Sequence, residues 1–222
     1  MLHHISFDLD FKKNPYKGKI VVIEGTDGAG KTTQAKALVK MLNKAGFPAA
    51  YTKEPTDDII GQFIREKVLS GEFAINPLAL QYLFNADRIM HMEKIEKLLQ
   101  KGMIIVMDRY FWSAVAYAMA DMQAIPDWSL VAFSILSFYH QSYAPDFTFL
   151  LKISPEVALA RIAQSGKHKE IYDNKEKLVQ TIKAYDFLRK EFKEMFTIID
   201  GDGDRTPEEI TDEICAKVVG SL

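Results

Sequence analysis

One stretch, Gly25-Thr26-Asp27-Gly28-Ala29-Gly30-Lys31-Thr32, limits what this chain can fold into more than any other. It fits G-x-x-x-x-G-K-[ST] at every fixed position. The run before it, Lys19-Ile20-Val21-Val22-Ile23-Glu24, is apolar and β-branched and predicts a strand. After it, Ala35, Leu38, Val39 and Leu42 recur at helical spacing until Gly46. The glycines therefore sit between a strand and a helix, the setting in which such a loop wraps phosphate. Glycine lets the backbone close around phosphate oxygens with its N–H groups inward, and the helix N-terminus adds its dipole. On this reading the cradle runs through Gly25, Thr26, Asp27, Gly28, Ala29, Gly30, Lys31, Thr32 and Thr33. Lys31 reaches the β/γ-phosphates of ATP, and the Thr32 hydroxyl sits on Mg²⁺.

The 222 residues suit one α/β domain, and 48% apolar residues supply a sizeable core. A formal net charge of -2 gives no general basic field for nucleic acid or an anionic membrane. No apolar run approaches the roughly 20 residues of a membrane span. The single cysteine, Cys215, reads as a small core residue. With no signal-peptide layout at the N-terminus, the expectation is a reducing, cytoplasmic location. The histidines show no ligand spacing, so no structural metal is expected.

Residues 1–18 read as an extension, and 19–222 as the domain proper. Strands are expected at 19–24, 49–53, 103–107, 146–153 and 195–199, with helices between them. Asn76-Pro77, Ser154-Pro155 and Thr206-Pro207-Glu208-Glu209 are helix starts, each a capping residue followed by proline. The helix opened by Asn76 should run to Lys101, a further pair should cover 112–122 and 127–143, and another should end near Glu194. Residues 164–174 are polar and interrupt the helical pattern, so they read as a short mobile lid. Short apolar strands alternating with helices imply a mostly parallel sheet covered on both faces. Ligands in such folds gather at the carboxyl ends of the strands. There the chain places the glycine loop, Lys53-Glu54 and Asp108-Arg109.

Asp108 and Arg109 directly follow a buried strand. Asp108 suits Mg²⁺, directly or through water, and the planar fork of Arg109 suits a phosphate. Phe84 and Arg88 are four apart on the long helix and share a face. They could stack on a base and hydrogen-bond it, but spacing alone favours a core Phe with a surface Arg. Asn85 and Asp87 read as solvated helix residues, and Glu24 as the close of its strand. Asp27 adds an acid to an anion site, which costs affinity unless it faces a hydroxyl or a metal. Lys167, His168 and Lys169 are either a solvated loop or cations that close over the transferring phosphate. Trp112, Trp128, Phe133, Phe138 and Tyr139 suit the core or a subunit contact.

With these residues in place, the chain resembles the thymidylate kinase family of P-loop nucleoside monophosphate kinases. The resemblance rests on IEGTDGAGKTTQAKAL, the KEP turn at 53–55, LFNADR at 83–88, DRYFWSAVAY at 108–117 and PDFTFLLKISPEVALARI at 145–162. It implies a three-layer P-loop kinase fold with a five-stranded parallel sheet. The implied activity is transfer of the ATP γ-phosphoryl to thymidine monophosphate (TMP) with Mg²⁺, toward dTTP, in a homodimer. By position, Phe84 would stack on thymine, Arg88 would hydrogen-bond it, and Arg109 would hold the acceptor phosphate. Asp27 would face the 3′-hydroxyl, Tyr117 would lie at the 2′ side, and Ser113 would line the pocket. Glu54 belongs to the KEP turn, and Arg65 is a weaker candidate for a phosphate contact. Lys31, Asp108 and Arg109 would carry the catalysis, with Thr32 and Asp108 at the metal.

The chain departs from the family pattern in three respects: the turn after the second strand, the missing loop and lid arginines, and the residues near the base. Lys53 stands where arginine is frequent, Gly28 where some members carry a catalytic arginine, and the lid offers Lys167 and Lys169 in place of arginines. Ala114 and Ala118 stand where a polar residue often lies near the base. These leave open a kinase of different or broader base specificity, and a nucleotide-binding module without transfer.

Overall fold

The computed structural model describes residues 8–122, 128–139, 142–166, 170–203 and 205–222. Its centre is a five-stranded sheet in the order β2-β3-β1-β4-β5. The strands are β1 (Lys19–Glu24), β2 (Ala49–Lys53), β3 (Ile104–Asp108), β4 (Phe147–Lys152) and β5 (Thr197–Asp200). Every pairing is parallel, with Lys19 opposite Ile104 and Val21 opposite Phe147 in the two central ladders. Successive side chains of β1 point to opposite faces. Ile20 and Val22 enter one core with Met107, Phe111, Trp112 and Leu188. Val21 and Ile23 enter the other with Leu38, Leu42, Phe149 and Ile214. A strand buried on both faces needs the continuous apolar run that the sequence provides.

The helices are α1 (Lys31–Lys44), α2 (Ile59–Phe63), α3 (Pro77–Gln100), α4 (Phe111–Asp121), α5 (Trp128–Tyr139), α6 (Pro155–Gln164), α7 (Lys175–Glu191) and α8 (Pro207–Val219). The capping signals act as their chemistry dictates. Asn76 accepts from Leu78 N–H, Ser154 from Val157 N–H and Asn174 from Lys177 N–H, and Thr206 with Glu209 forms a full capping box. No helix among the described residues is long and apolar enough to cross a membrane.

Three boundaries differ from the sequence expectation. Helix α5, expected over 127–143, spans Trp128–Tyr139, and Tyr143 instead bridges to Lys12. Helix α7 stops at Glu191, and a single 3₁₀ turn, Lys193–Met195, leads into β5. Phe192 leaves helical geometry at φ -119°, ψ 51°, and its ring packs on Trp112 with centroids 5.0 Å apart. After α2 the chain widens into π-helical turns, Ile64–Leu69, which carry Arg65. Such turns recur at functional sites.

Residues 8–18 lie against the domain. Phe11 stacks on Phe111 at 5.6 Å and meets Phe192 edge-on at 6.4 Å. Lys12 bridges to Tyr143 in parallel. Asn14 donates to Asp146 at 2.9 Å, and Asp146 also takes Ile20 N–H and the Lys19 ammonium.

Candidate active site

The glycine loop connects β1 to α1. Gly30 caps α1 at φ 91° without a side chain, so the first N–H groups of the helix open onto the loop. A Cβ there would meet nothing within 4 Å, which leaves an open cradle. Gly28 is different. At φ +77° a Cβ would lie 2.5 Å from Ala158 O, so an arginine at this position would collide with α6. Ala29 is buried in the core, and Thr33 is exposed on α1.

Lys31 is 6% exposed and donates to Thr26 O at 2.7 Å. Burial lowers its ammonium and the Arg109 charge lowers it further, against Asp27, Asp108 and Glu24, to about 8. The Thr32 hydroxyl donates to Asp108 Oδ2. A hydroxyl and a carboxylate beside a phosphate cradle are the hard oxygen donors that Mg²⁺ takes, so these residues fit that ion.

Arg109 follows β3 with φ 73°, the one positive value at a non-glycine among the described residues. Its backbone N–H is tied to Ile23 O at 3.1 Å. Its guanidinium donates to Gly25 O (3.2 Å), Ser113 Oγ (3.1 Å), Tyr117 OH (3.0 Å) and Asp27 Oδ1. Tyr117 OH donates in turn to Asp27 Oδ2 at 2.7 Å. Burial would raise the Asp27 carboxyl, but the Arg109 and Lys31 charges and the Tyr117 hydroxyl hold it at about 2.

Glu24 does more than close its strand. It is fully buried and accepts from Tyr110 N–H (3.0 Å), Ser113 N–H (3.2 Å), Ser113 Oγ (2.5 Å) and Tyr185 OH (2.8 Å). Helix α4 has no cap from its own N-cap residue, Tyr110, so Glu24 supplies one from β1. Burial pushes its carboxyl pKa up against those donors. The sequence signal was available: Glu24 is the one acid on an otherwise apolar buried strand.

A cavity of about 600 Å³ is lined by Asp27, Lys31, Thr32, Glu54, Arg65, Phe84, Arg88, Asp108, Arg109, Ser113 and Tyr117. Residues expected on five separate segments thus share one space. Gly25 and Thr26 face a smaller recess on the other side of the loop. Lys167 and Lys169, with His168, lie outside the described residues.

Phe84 is half-buried against the cluster of Leu80, Tyr117 and Tyr172. Arg88 is 2% exposed, which removes the surface-arginine reading. Its Nε donates to Glu54 Oε2 at 2.6 Å, its Nη2 forms an ion pair with the same oxygen at 2.5 Å and donates to Tyr110 O at 3.3 Å, and its Nη1 donates to Tyr139 OH. Glu54 also meets His91 Nδ1 at 3.0 Å. Burial would raise the Glu54 carboxyl, but Arg88 and His91 hold it down. The Glu54–Pro55 bond is cis. Arg65 clamps the turn that follows, through Pro55 O (2.5 Å), Thr56 O (2.8 Å) and Asp57 Oδ1 (2.8 Å).

Asn85 and Asp87 are not solvated. Asp87 accepts from Thr56 N–H at 2.8 Å and Thr56 Oγ1 at 2.5 Å, and Asn85 Oδ1 accepts from Tyr139 OH. Helix α3 passes beneath the turn after β2 and beside α5, so polar residues off its apolar stripe are also covered. Of the aromatic residues, Trp112 and Tyr139 are buried, whereas Phe133 and Phe138 are exposed.

The thymidylate kinase family model matches residues 23–214 of this chain. The thymidylate kinase of Carboxydothermus hydrogenoformans is 34% identical over 204 residues, covering 89% of this chain and 95% of that protein. A probable thymidylate kinase of Methanocaldococcus jannaschii is 34% identical over 202 residues, covering 91% and 94%. The solved structure of thymidylate kinase from Candida albicans covers 94% of each chain with a TM-score of 0.75 at 23% identity, which shows a shared fold. A family match over most of the length, and relatives matched nearly end to end, place the chain: it belongs to the thymidylate kinase family.

Proposed function

We propose that this protein phosphorylates thymidine monophosphate to the diphosphate, with ATP as donor and Mg²⁺ as the metal. The observation that carries the reading is one cavity shared by the loop lysine, Lys31, and the acceptor-side group Asp27, Phe84, Arg88, Arg109 and Tyr117. A phosphate acceptor is already an anion, so the chemistry needs positioning and charge neutralisation rather than a general base. Mg²⁺, held at Thr32 and Asp108, would supply part of that neutralisation when bound. Lys31 supplies a further charge from the loop. Arg109 spends its Nη donors on Gly25, Ser113, Asp27 and Tyr117, leaving Nε–H for an acceptor phosphate among the described residues. Arg88 likewise keeps one Nη1 donor and lines the cavity with Phe84, which suits a carbonyl of a stacked base. Glu54 and Ser113 hold these cations, and Arg65 braces the turn between them.

ADP production across TMP, UMP, CMP and AMP tests the assignment. TMP should give the highest kcat/KM by at least about tenfold. Equal or better turnover of another monophosphate would overturn it.

A homodimer is part of this proposal. Leu78, Tyr82, Ile89 and Met90 of α3 and Phe138 of α5 are exposed, and Tyr82 meets Phe138 at 5.6 Å. A single mass of twice the chain in light scattering is expected. The lone, buried Cys215 agrees with a cytoplasmic location.

A further inference from the structure

Tyr51 stands in the middle of β2, opposite Val106 of β3, and Lys53 stands opposite Asp108. Side chains two apart on a strand share a face, so Tyr51, Val106 and Asp108 point to the same side of the sheet. Helix α1 covers that side and sends Leu38 and Leu42 into the core there. The Tyr51 ring packs at the edge of this core, and Lys36 of α1 places its Nζ 5.3 Å from the ring centroid. Lys36 lies one turn after Thr32 on α1. Tyr51, Thr32, Lys36 and Asp108 all line the cavity.

A phenylalanine would fill the same space, so packing does not account for the hydroxyl. The Tyr51 hydroxyl is sheltered from solvent and has no hydrogen-bond partner among the described residues. A buried hydroxyl in this state is costly. The other side-chain atoms in the same condition belong to Gln81, Asn85 and Trp112, and none of those residues lines the cavity. Burial pushes the Tyr51 pKa up to about 12, and the charges of Asp108 and Asp57 add to that. It is therefore a neutral hydroxyl at neutral pH, able to donate one bond and to accept others.

We propose that Tyr51 is a positioning residue for the Mg²⁺ that Thr32 and Asp108 fit, its hydroxyl accepting a hydrogen bond from a water of the cation's hydration shell. Mg²⁺ gives up its waters reluctantly, and two protein oxygens leave most of an octahedral shell to water and phosphate. Waters so held need fixed partners, and residues that supply them tune the affinity for the metal. This role rests on the kinase reading above and deepens it. It adds a side chain from β2 to a metal site otherwise drawn from the glycine loop and the end of β3.

The test uses Tyr51→Phe in the full chain, with Mn²⁺ as the probe. Without ligands the variant should melt at the wild-type temperature or above, because no bond has been removed. With ADP present, Mn²⁺ titrated by its electron paramagnetic resonance signal should bind about tenfold or more weakly than to wild type. ADP binding in EDTA, and KM for TMP at saturating Mg²⁺, should each stay within about twofold. Mn²⁺ affinity within twofold of wild type would overturn the role. A lower melting temperature in the ligand-free variant would also overturn it, since the hydroxyl would then serve the fold. A rise in KM for TMP with Mn²⁺ affinity unchanged would overturn it by placing the hydroxyl on the acceptor phosphate. A wild type that binds no Mn²⁺ with ADP overturns the metal reading and this role together. A wild type that prefers another monophosphate overturns the substrate assignment alone, and weaker Mn²⁺ binding by the variant would still support the role of Tyr51.

Discussion

Arg109 is bonded to Asp27 across 82 residues of chain, while its own backbone is held at φ 73°. A left-handed arginine costs on the order of 1 kcal/mol, and the bonds to Asp27, Gly25, Ser113 and Tyr117 are what hold it there. Strain of this kind aims a side chain. Arg109→Ala should lower kcat with TMP by at least about tenfold, because a charge-assisted phosphate contact is lost. Turnover near the wild-type value would make Arg109 a structural residue only.

Asp27 sets a pH dependence. Its folded pKa of about 2 lies below the ordinary carboxylate value, because Arg109 and Lys31 outweigh its burial. A depressed acid adds stability that is complete above the unfolded pKa of about 4 and lost as pH falls toward 2. The contribution is on the order of 2 kcal/mol. Urea unfolding of wild type and Asp27→Asn should therefore differ by the full amount above pH about 5 and converge only as pH falls to about 2. A constant gap across that range would remove the assignment.

Glu24 should matter more to assembly than its place at a strand end suggests. Glu24→Ala leaves the N–H groups of Tyr110 and Ser113 and two hydroxyls without their acceptor in a buried site. A loss of about 3 kcal/mol or more is expected in urea unfolding. Glu24→Gln keeps one acceptor oxygen and a similar shape, so it should lose less than half as much. Equal losses in the two variants would show that packing, not acceptance, is the role of this residue.

The strap at residues 8–18 should contribute stability without touching the site. Phe11 is half-buried against Phe111, Trp112 and Phe192. Phe11→Ala should lower stability by about 2 kcal/mol, and neither KM should change. A specific rise in KM for TMP would instead tie the strap to the acceptor pocket through α4.

The parts of the site readable from sequence are those whose chemistry demands fixed residue types at short spacing. The cradle from Gly25 to Thr32 is local, so a pattern shows it. The sheet was legible because strands such as Ile104–Asp108 must be apolar on both faces. Asn85 and Asp87 were not legible, since their partners lie 54 and 31 residues away and leave no local pattern. Arg88 shows the same limit. Helical spacing placed it on the face of Phe84 and favoured a surface arginine there, but α3 is covered on more than one side, and Glu54 supplies the countercharge that lets a guanidinium be buried. The steric reason for glycine at position 28 lies in α6, more than a hundred residues downstream, and could not be read from the loop.

The carboxylate of Glu24 also bears on how the protein comes of age. Its partners are 86, 89 and 161 residues distant, on α4 and α7. No fragment ending before Tyr185 can complete this set of bonds, so the cap that Glu24 gives the start of α4 is finished only when α7 has been added. The carboxylate is fully satisfied only when the first strand, the fourth helix and the seventh have docked together. Long-range closure of this kind slows folding.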